Sequence, residues 1–305
     1  MEEEYLKKIE NLNMEYIDLK TSKEYKLGKD ILETKRLLKK LQIFRIIMKL
    51  INRKKVNKFN SHGELENNFT PKDILKIEEK PRIAVYTCIT GSYDKLITPF
   101  IKFDNIDYIA YTDNKEENNE VWQVHDIPEN IKKIGDNVLI NRYIKFHPNE
   151  FFDKSKYDYA IYLDGNIKII SDLTDFVYGI NPKTGLALHR HRFRNCIYNE
   201  IEVCRLIKKG NYNKMKKQAD RYESEGFPKN FGLYECNVIA TDLNNDKSKK
   251  ITDAWWEEFV NSESFRDQIA LPYVVWKNNY RFDDIGSLGN NVYRNAKIRL
   301  KSHNS

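Results

Sequence analysis

The segment YLDGNIKI, residues 162–169, decides the fold that this sequence predicts. It continues the apolar run YAIYL of residues 159–163, which is typical of a buried strand. The polar residues Asp164, Gly165 and Asn166 follow without a spacer. Strands of a parallel sheet end in loops of this kind, and the ligands of such sheets bind beyond the carboxyl ends of the strands. Asp164 is therefore a candidate binding residue, and a simple turn at Asp164-Gly165 is the alternative.

Two strands and a helix are predicted upstream of this segment. The runs IAVYTCI (83–89) and IDYIAYTD (106–113) are short and β-rich, and DNVLINRYIKF (136–146) has helical spacing. This alternation predicts an α/β domain with a mostly parallel sheet and flanking helices. The loop TGSYD (90–94) after the first strand and Asp113 after the second should then lie on the same edge of the sheet as the DGN loop.

The second half of the chain continues the alternation of strands and helices. We predict a strand over 185–193, helical structure over 199–226 with a break near Gly210, a strand over 234–242, and two helical segments within 251–277, the second starting near Ser264.

The charge of the chain is concentrated in one segment. The 305 residues carry a net charge of +7, yet residues 35–58 alone hold ten basic and no acidic side chains. The rest of the chain is close to neutral, which argues against a nucleic-acid partner. The sequence contains no run of about 18 apolar residues, so it predicts no membrane-spanning helix. The four cysteines form no C-x-x-C pair, so we expect a reducing, cytoplasmic location rather than a disulfide or zinc framework.

The N-terminal residues 1–58 predict a helical extension. A first seam has the 4, 3, 4, 3 spacing of a coiled coil, and the pattern resumes after a break near Gly28. Self-association through this helix is one interpretation, and packing on the chain's own domain is the alternative. The seam residues are Tyr5, Ile9, Leu12, Tyr16 and Leu19.

Residues 35–58 also predict a cationic amphipathic helix, with Leu41, Phe44 and Met48 on its apolar side. Such a helix can lie in an anionic membrane surface, here the inner face of the cell membrane. An ordinary surface helix is the alternative. A polar linker is expected over 59–80, and the folded domain over 81–305.

Several short motifs, taken in order, resemble a known family. They resemble the glycosyltransferase-like domain of plant mucilage- and turgor-related proteins, which also has bacterial members. The resemblance runs from about residue 82 to 280 and implies a GT-A type fold, a Rossmann-like sheet that binds a nucleotide-sugar donor. The motifs are TGSYD (90–94), NRYIK (141–145), YLDGN (162–166), HRHRF (189–193), ECNVI (235–239) and SFRDQI (264–269).

This resemblance raises the question of a metal ion. GT-A enzymes use a D-x-D motif to hold Mn²⁺ or Mg²⁺ against the donor diphosphate, and here Asn166 stands in place of the second acid. Asp164 is then the metal-ligand candidate, although hard cations favour several oxygen ligands. Cationic side chains can offset diphosphate charge instead, and Arg142 and Lys145 are spaced for one helical face.

The remaining donor-binding candidates follow from the same motifs. Gly91 allows close backbone approach, Tyr93 can stack on a base, and Asp113 can accept hydrogen bonds from a ribose. In HRHRF, alternation predicts His189 and His191 on one face of a strand, where they contact the donor, bind metal or act only structurally. The complete donor set is Thr90, Gly91, Tyr93, Asp113, Arg142, Lys145, Asp164, Asn166, His189, Arg192, Asn237 and Gln268.

Asp267, Glu235 and His191 are the catalytic candidates. The resemblance places Asp267 at the acceptor as a base or at the donor sugar beside Gln268, while a capping box with Ser264 is its structural alternative. Glu235 is an acid–base or acceptor-contact candidate, with a surface acid as alternative, and Asn237 resembles the asparagine near the transferred sugar in glycogenin-like enzymes.

The predicted function is transfer of a hexose from a nucleotide-diphosphate sugar, UDP-linked, to a hydroxyl of a glycan or glycolipid in surface polysaccharide synthesis. One alternative is a metal-dependent hydrolase of a lipid or phosphoester, with His189, His191 and Asp164 around the metal. The other is a non-catalytic sugar-nucleotide-binding protein.

Overall fold

The structure is a computed structural model that describes residues 2–39, 43–60, 80–114, 119–289 and 291–302. Most of the predicted linker over 59–80 lies outside these residues. The described part is an α/β domain with an N-terminal helical extension, as predicted, and none of its helices is long and apolar enough to cross a membrane.

A seven-stranded, mostly parallel sheet forms the centre of the domain. Its order is β3-β2-β1-β4-β7-β6-β8. The strands β1 to β4 run parallel, whereas β7 is antiparallel to both of its neighbours. The strands are β1 Ile83–Ile89, β2 Ile106–Thr112, β3 Gln123–Asp126, β4 Tyr159–Leu163, β6 Leu186–Arg190, β7 Tyr234–Asp242 and β8 Gly286–Ser287, with β5 Ile167–Ile169 and β9 Ile298–Leu300 paired in a separate ribbon.

Helices cover both faces of the sheet. Alternate β1 residues belong to two buried apolar clusters, Tyr86 to one that includes Trp255 and Val85 to one that includes Phe176. The helices are α1 Glu2–Thr21, α2 Lys23–Lys39, α3 Ile43–Asn57, α4 Glu129–Lys132, α5 Asn137–Phe146, α6 Pro148–Phe151, α7 Thr174–Tyr178, α8 Ile197–Leu206, α9 Tyr212–Ser224, α10 Asp246–Ser262 and α11 Asp267–Lys277.

Most predicted elements are confirmed, and two are corrected. The strand expected over 185–193 spans Leu186–Arg190, and its pairing with β7 shifts register between Leu188 and His189. The break in the N-terminal helix lies at Ser22, between α1 and α2, and Gly28 is inside α2. Nothing surrounds Gly28 closely, so an isolated glycine is tolerated there.

Helix α1 packs against the C-terminal segment of its own domain. Ile9, Asn13 and Ile17 form its buried face, and the Asn13 amide Nδ2 donates to the carbonyl oxygen of Ala296 at 2.9 Å. The predicted seam residues other than Ile9 are exposed, with Leu12 at 55%. Helix α1 therefore packs on its own domain, which was the alternative to a coiled coil. Self-association through this helix stays a prediction.

Helix α3 is tied to α2 by ion pairs. Lys49 pairs with Glu33, and Arg53 Nη1 lies 2.8 Å from Asp30 Oδ2. Acidic side chains from α2 thus offset part of the basic charge of α3, although its own sequence contains none.

We expect Asn13→Ala to destabilise the protein by about 1–3 kcal/mol, because carbonyl groups of residues 295, 296 and 298 would lose their buried donor. Urea unfolding measures this difference. Asn11→Ala, at an exposed position on the same helix, is the matched control. Equal unfolding midpoints for the two variants would show that the α1 contact adds no stability.

Candidate functional site

The candidate site lies beyond the carboxyl end of β4. Asp164 directly follows the strand, and its backbone N–H donates to the Asn237 carbonyl at 2.9 Å. The Asn237 side-chain Nδ2 donates to Asp164 Oδ2, also at 2.9 Å. Glycine is required at 165 because an added Cβ would lie 2.9 Å from Ile89 Cγ1, at the end of β1. Close packing of β1, β4 and β7 therefore fixes the Asp164 carboxylate.

Four charged side chains meet there in what we call the central charge cluster: Arg142, Lys145, Asp164 and Asp267. Lys145 Nζ lies 3.0 Å from Asp267 Oδ2 and 3.4 Å from Asp164 Oδ1. Arg142 Nε lies 3.1 Å from the same Asp267 oxygen. A buried ammonium is tolerated only when anions pair with it, so these contacts depend on one another.

Helix α5 carries both cations to the site. Its N-terminus is capped by Asp136, whose Oδ1 accepts from the backbone N–H groups of Val138 and Leu139. Asn141 Nδ2 donates to the Cys88 carbonyl, which holds the helix on the end of β1. Arg142 and Lys145 are three residues apart, so they project from the same face toward the acids.

Asp267 is the first residue of α11, but not as part of a capping box. Arg266 occupies the capping position, and Ser264 Oγ donates to Gln218 Oε1 at 2.7 Å. The predicted alternative for Asp267, a capping box with Ser264, is therefore wrong. Burial opposes ionisation of this carboxyl, yet Lys145, Arg142 and Arg266 hold its pKa well below the usual range. A carboxylate with so low a pKa is a weak proton acceptor at neutral pH.

A second group of polar side chains adjoins Asp267, and we call it the glutamate cluster: His191, Arg194, Glu200, Glu235 and Gln268. Gln268 Nε2 donates to Glu235 Oε2 at 2.8 Å, and its backbone N–H donates to Asp267 Oδ1 at 2.9 Å. Arg194 Nε donates to Glu200 Oε2 at 2.8 Å. His191 Nε2 lies 3.5 Å from Glu235 Oε1. Gln268 thereby joins the two clusters.

The two glutamates of this cluster differ in protonation. Burial, with the Glu200 charge nearby, raises the pKa of Glu235 to about 8. Burial would also raise the pKa of Glu200, but Arg194, His191 and Arg266 lower it instead. At neutral pH Glu235 therefore holds a proton and Glu200 does not.

His191 is neutral, because burial lowers its pKa to about 4. Its Nδ1 accepts from the backbone N–H groups of Phe193 and Arg194, and its Nε2 lies 3.1 Å from Arg194 Nη2 and 3.5 Å from Glu235 Oε1. The sequence predicts that His189 and His191 share one face of a strand, but their partners differ. His189 Nε2 lies 3.1 Å from Asn295 Nδ2, and the His189 ring packs on Phe176. The strand ends at Arg190, so strand alternation does not extend to His191.

The TGSYD loop and Asp113 lie together beyond β1 and β2. The Gly91 N–H donates to Asp113 Oδ2 at 2.7 Å, and Thr90 Oγ1 donates to the Asn137 carbonyl at the start of α5. Gly91 has a φ of +62°, a conformation that favours glycine. Tyr93 is 60% exposed. The predicted nucleotide-binding edge is thus assembled from these two loops.

Two predicted donor contacts point elsewhere. Asn166 Nδ2 donates to the Lys301 carbonyl at 3.0 Å, so this side chain holds the C-terminal segment. The Arg192 guanidinium lies 4.7 Å from the centre of the Phe193 ring and 5.5 Å from that of Tyr293.

The residues at Asp164 do not fit a divalent cation. One carboxylate oxygen lies beside the Lys145 ammonium, the other accepts from the Asn237 amide, and the Asn166 amide Nδ2 donates to the C-terminal segment. Within the described ranges, no three His, Cys, Asp or Glu side chains are grouped closely enough to hold a metal ion. The metal-ligand candidate is therefore a member of an ion-pair network.

Sequence reasoning missed Glu200, Arg194 and Arg266. Arg194 directly follows the HRHRF motif and Arg266 lies inside SFRDQI, so both were adjacent to quoted residues. Glu200 lies outside every quoted motif, and its sequence context is that of an ordinary acidic residue in a helix.

Residues 54–288 match the family model described as TOD1/MUCI70, glycosyltransferase-like domain. The chain belongs to this family. The match begins within α3, upstream of the boundary predicted at residue 81. It confirms the family resemblance drawn from the motifs, so the protein carries a glycosyltransferase-like domain.

Two solved glycosyltransferases have a similar chain path. Mouse xyloside xylosyltransferase 1, in its apo form, has 9% identity and a TM-score of 0.41 over 65% of this chain and 82% of that one. The galactosyltransferase LgtC, solved with donor and acceptor sugar analogues, has 11% identity and a TM-score of 0.37 over 63% and 70%. Similarity this distant says nothing about substrate. No curated protein matches the chain in sequence.

Glu235→Gln should stabilise this family member more at pH 8 than at pH 5. Folded wild-type protein keeps the Glu235 proton up to a pKa of about 8, whereas the unfolded chain releases it near 4.5. Wild-type stability therefore falls with rising pH across this window, by up to about 1.4 kcal/mol per pH unit, and glutamine removes the dependence.

Thermal unfolding of both proteins from pH 5 to 8 measures this difference. Glu257→Gln, an exposed position on α10, is the control that should parallel wild type. A constant offset between wild type and Glu235→Gln would contradict the buried, protonated state.

Proposed function

We propose that this protein transfers a hexosyl group from a nucleotide-diphosphate sugar, UDP-linked, to a hydroxyl of a glycan or glycolipid in surface polysaccharide synthesis. The observation that carries the proposal is the central charge cluster at the carboxyl edge of the sheet. In this cluster the Asp164 carboxylate and the Arg142 guanidinium are both partly exposed, so both can contact a ligand. The family to which the chain belongs is described as glycosyltransferase-like.

The nucleotide would bind along the loops beyond β1 and β2. Tyr93, being exposed, offers a ring for base stacking, and Asp113 offers a carboxylate oxygen to the ribose. Gly91 lets this loop pass close to Asn137 at the start of α5, since an added Cβ would collide with the Asn137 side chain. The sugar and diphosphate would then extend toward Asp164 and Arg142, whose side chains are each 23% exposed.

In the proposed reaction the acceptor oxygen bonds to the anomeric carbon while the bond from that carbon to the diphosphate oxygen breaks. The nucleoside diphosphate leaves with the bonding electrons, and an oxygen of the leaving phosphate takes the proton that the acceptor hydroxyl releases. Arg142 would stabilise the charge that develops on the leaving group. Asp164 would accept hydrogen bonds from sugar hydroxyls.

The opposite pKa shifts of Asp267 and Glu235 suggest different duties for these carboxyls. Asp267 stays ionised and keeps the two cations in place. Glu235 holds a proton near neutral pH, so beside neutral His191 it would donate a hydrogen bond or a proton and would not serve as the base.

The hydrolase alternative has no structural observation in its favour. Its three residues separate into different environments: His189 pairs with Asn295, His191 adjoins Glu235, and Asp164 contacts Lys145.

A peripheral position on the inner face of the cell membrane is also part of this proposal. Exposed side chains of α3 supply an apolar surface through Ile47, Leu50 and Ile51, followed by Lys54 and Lys55. Lys49 and Arg53 pair with α2, which leaves the lysines of the last turn to meet anionic headgroups.

A thermal-shift panel of nucleotide sugars tests the enzymatic proposal. We expect one UDP-sugar to raise the unfolding temperature, because a ligand at 100 times its Kd adds about 2.7 kcal/mol. Asp164→Ala should abolish the shift, while Asp104→Ala, at an exposed position away from the site, should retain it. No shift from any sugar nucleotide would refute the proposal, and binding without nucleotide release in the presence of acceptor glycans would favour the non-catalytic alternative.

Flotation with vesicles tests the membrane proposal. Full-length protein should float with phosphatidylcholine vesicles that contain phosphatidylglycerol, and Lys54→Glu/Lys55→Glu should reduce flotation because each base near the surface contributes about 1 kcal/mol. Lys247→Glu/Lys250→Glu on α10 makes the same charge change at exposed positions and should float like wild type. Equal flotation of the two double variants would refute a role for α3.

A further inference from the structure

We infer that the Lys145 ammonium occupies the place that a divalent cation takes in a metal-dependent site, so that the donor diphosphate binds here without metal. This inference rests on the proposed function and specifies its chemistry.

The position of Lys145 is the first argument. Its side chain is fully buried, at 0% exposure, and Nζ lies between Asp267 Oδ2 at 3.0 Å and Asp164 Oδ1 at 3.4 Å. It also lies 4.9 Å from the centre of the Tyr162 ring. A cation therefore already bridges the two acids that come from different chain segments, as a bridging metal ion would.

The carboxylate oxygens are the second argument. Asp164 Oδ2 accepts from Asn237 Nδ2, Asp267 Oδ1 accepts from the Gln268 N–H, and Asp267 Oδ2 faces both Lys145 and Arg142. Mg²⁺ or Mn²⁺ requires several oxygen ligands at short distance. Each of these oxygens already has a donor, so a metal ion would have to compete with these donors while lying beside two cations.

Charge balance is the third argument. Two carboxylates and two cations sum to zero within the central charge cluster, so a divalent ion would add two positive charges beside Lys145 and Arg142. Lys145 and Arg142 already supply positive charge at this place, so no further cation has to be added beside them.

The two cations then have distinct roles. Arg142 reaches the surface, with 23% of its side chain exposed, and its planar guanidinium suits two phosphate oxygens. Lys145 is enclosed and cannot reach a ligand without moving, so it is a positioning residue that holds Asp164 and Asp267 in place. Arg142 would therefore bind phosphate, and Lys145 would keep the two carboxylates in position.

Wild-type protein provides the first test. The thermal shift that UDP or a UDP-sugar produces should be the same in EDTA as in Mn²⁺ or Mg²⁺, and Mn²⁺ alone should give no specific binding in electron paramagnetic resonance titrations. A nucleotide shift that EDTA removes and Mn²⁺ restores would overturn the inference and leave the proposed function intact. No nucleotide shift under any condition would instead count against the proposed function.

Lys145→Met provides the second test, because it removes the ammonium and keeps much of the side-chain volume. The two carboxylates should then gain affinity for Mn²⁺, by on the order of tenfold or more, with a matching Mn²⁺-dependent rise in unfolding temperature. Lys133→Met, at an exposed position, should behave like wild type. A folded Lys145→Met protein that ignores Mn²⁺ would contradict the inference. Should this variant fail to fold, the wild-type comparison decides the question.

Discussion

The buried ammonium of Lys145 is the interaction on which this site depends. An unpaired charge in a protein interior costs several kcal/mol, so Asp164 and Asp267 must both remain beside it. These partners come from the end of β4 and the start of α11, while the lysine comes from α5. The need to pair this buried ammonium with both carboxylates thus constrains the placement of all three elements. Arg142 contacts the same Asp267 oxygen as Lys145, so its position depends on the same pairing.

Gln268 places two contrasting carboxyl environments next to each other. Its backbone N–H donates to Asp267, which lies among cations, and its side chain donates to Glu235, which lies in an enclosed position near a second glutamate. The pKa of one carboxyl is low and that of the other is high because of their surroundings alone. Neighbouring carboxyls of different protonation are a common arrangement where bonds to sugars are made or broken.

The strands and the central acids could be predicted from sequence because local signals define them. Apolar runs ending in polar loops identified β1, β4 and β7, and the parallel pairing predicted for the strands put Asp164 and Asp113 at the carboxyl ends of β4 and β2, where the structure has them. The ion pairing of Lys145 could not be predicted in detail, because it depends on side chains 19 and 122 residues away. Helical spacing suggested only that Lys145 and Arg142 share a face. The shared face predicted for His189 and His191 fails because the strand ends at Arg190, and tertiary packing determines where a strand ends.

The contact of α1 with the segment that contains β9 links two distant parts of the chain. The Asn13 amide Nδ2 donates to the carbonyl oxygens of residues 295, 296 and 298, and its Oδ1 accepts from Arg299 Nε. The same segment pairs with the loop after Asp164, where Lys301 and Asn166 exchange hydrogen bonds. Detachment of α1 would therefore release the segment that also holds Asn166, so the N-terminal helix is mechanically coupled to the loop beside Asp164.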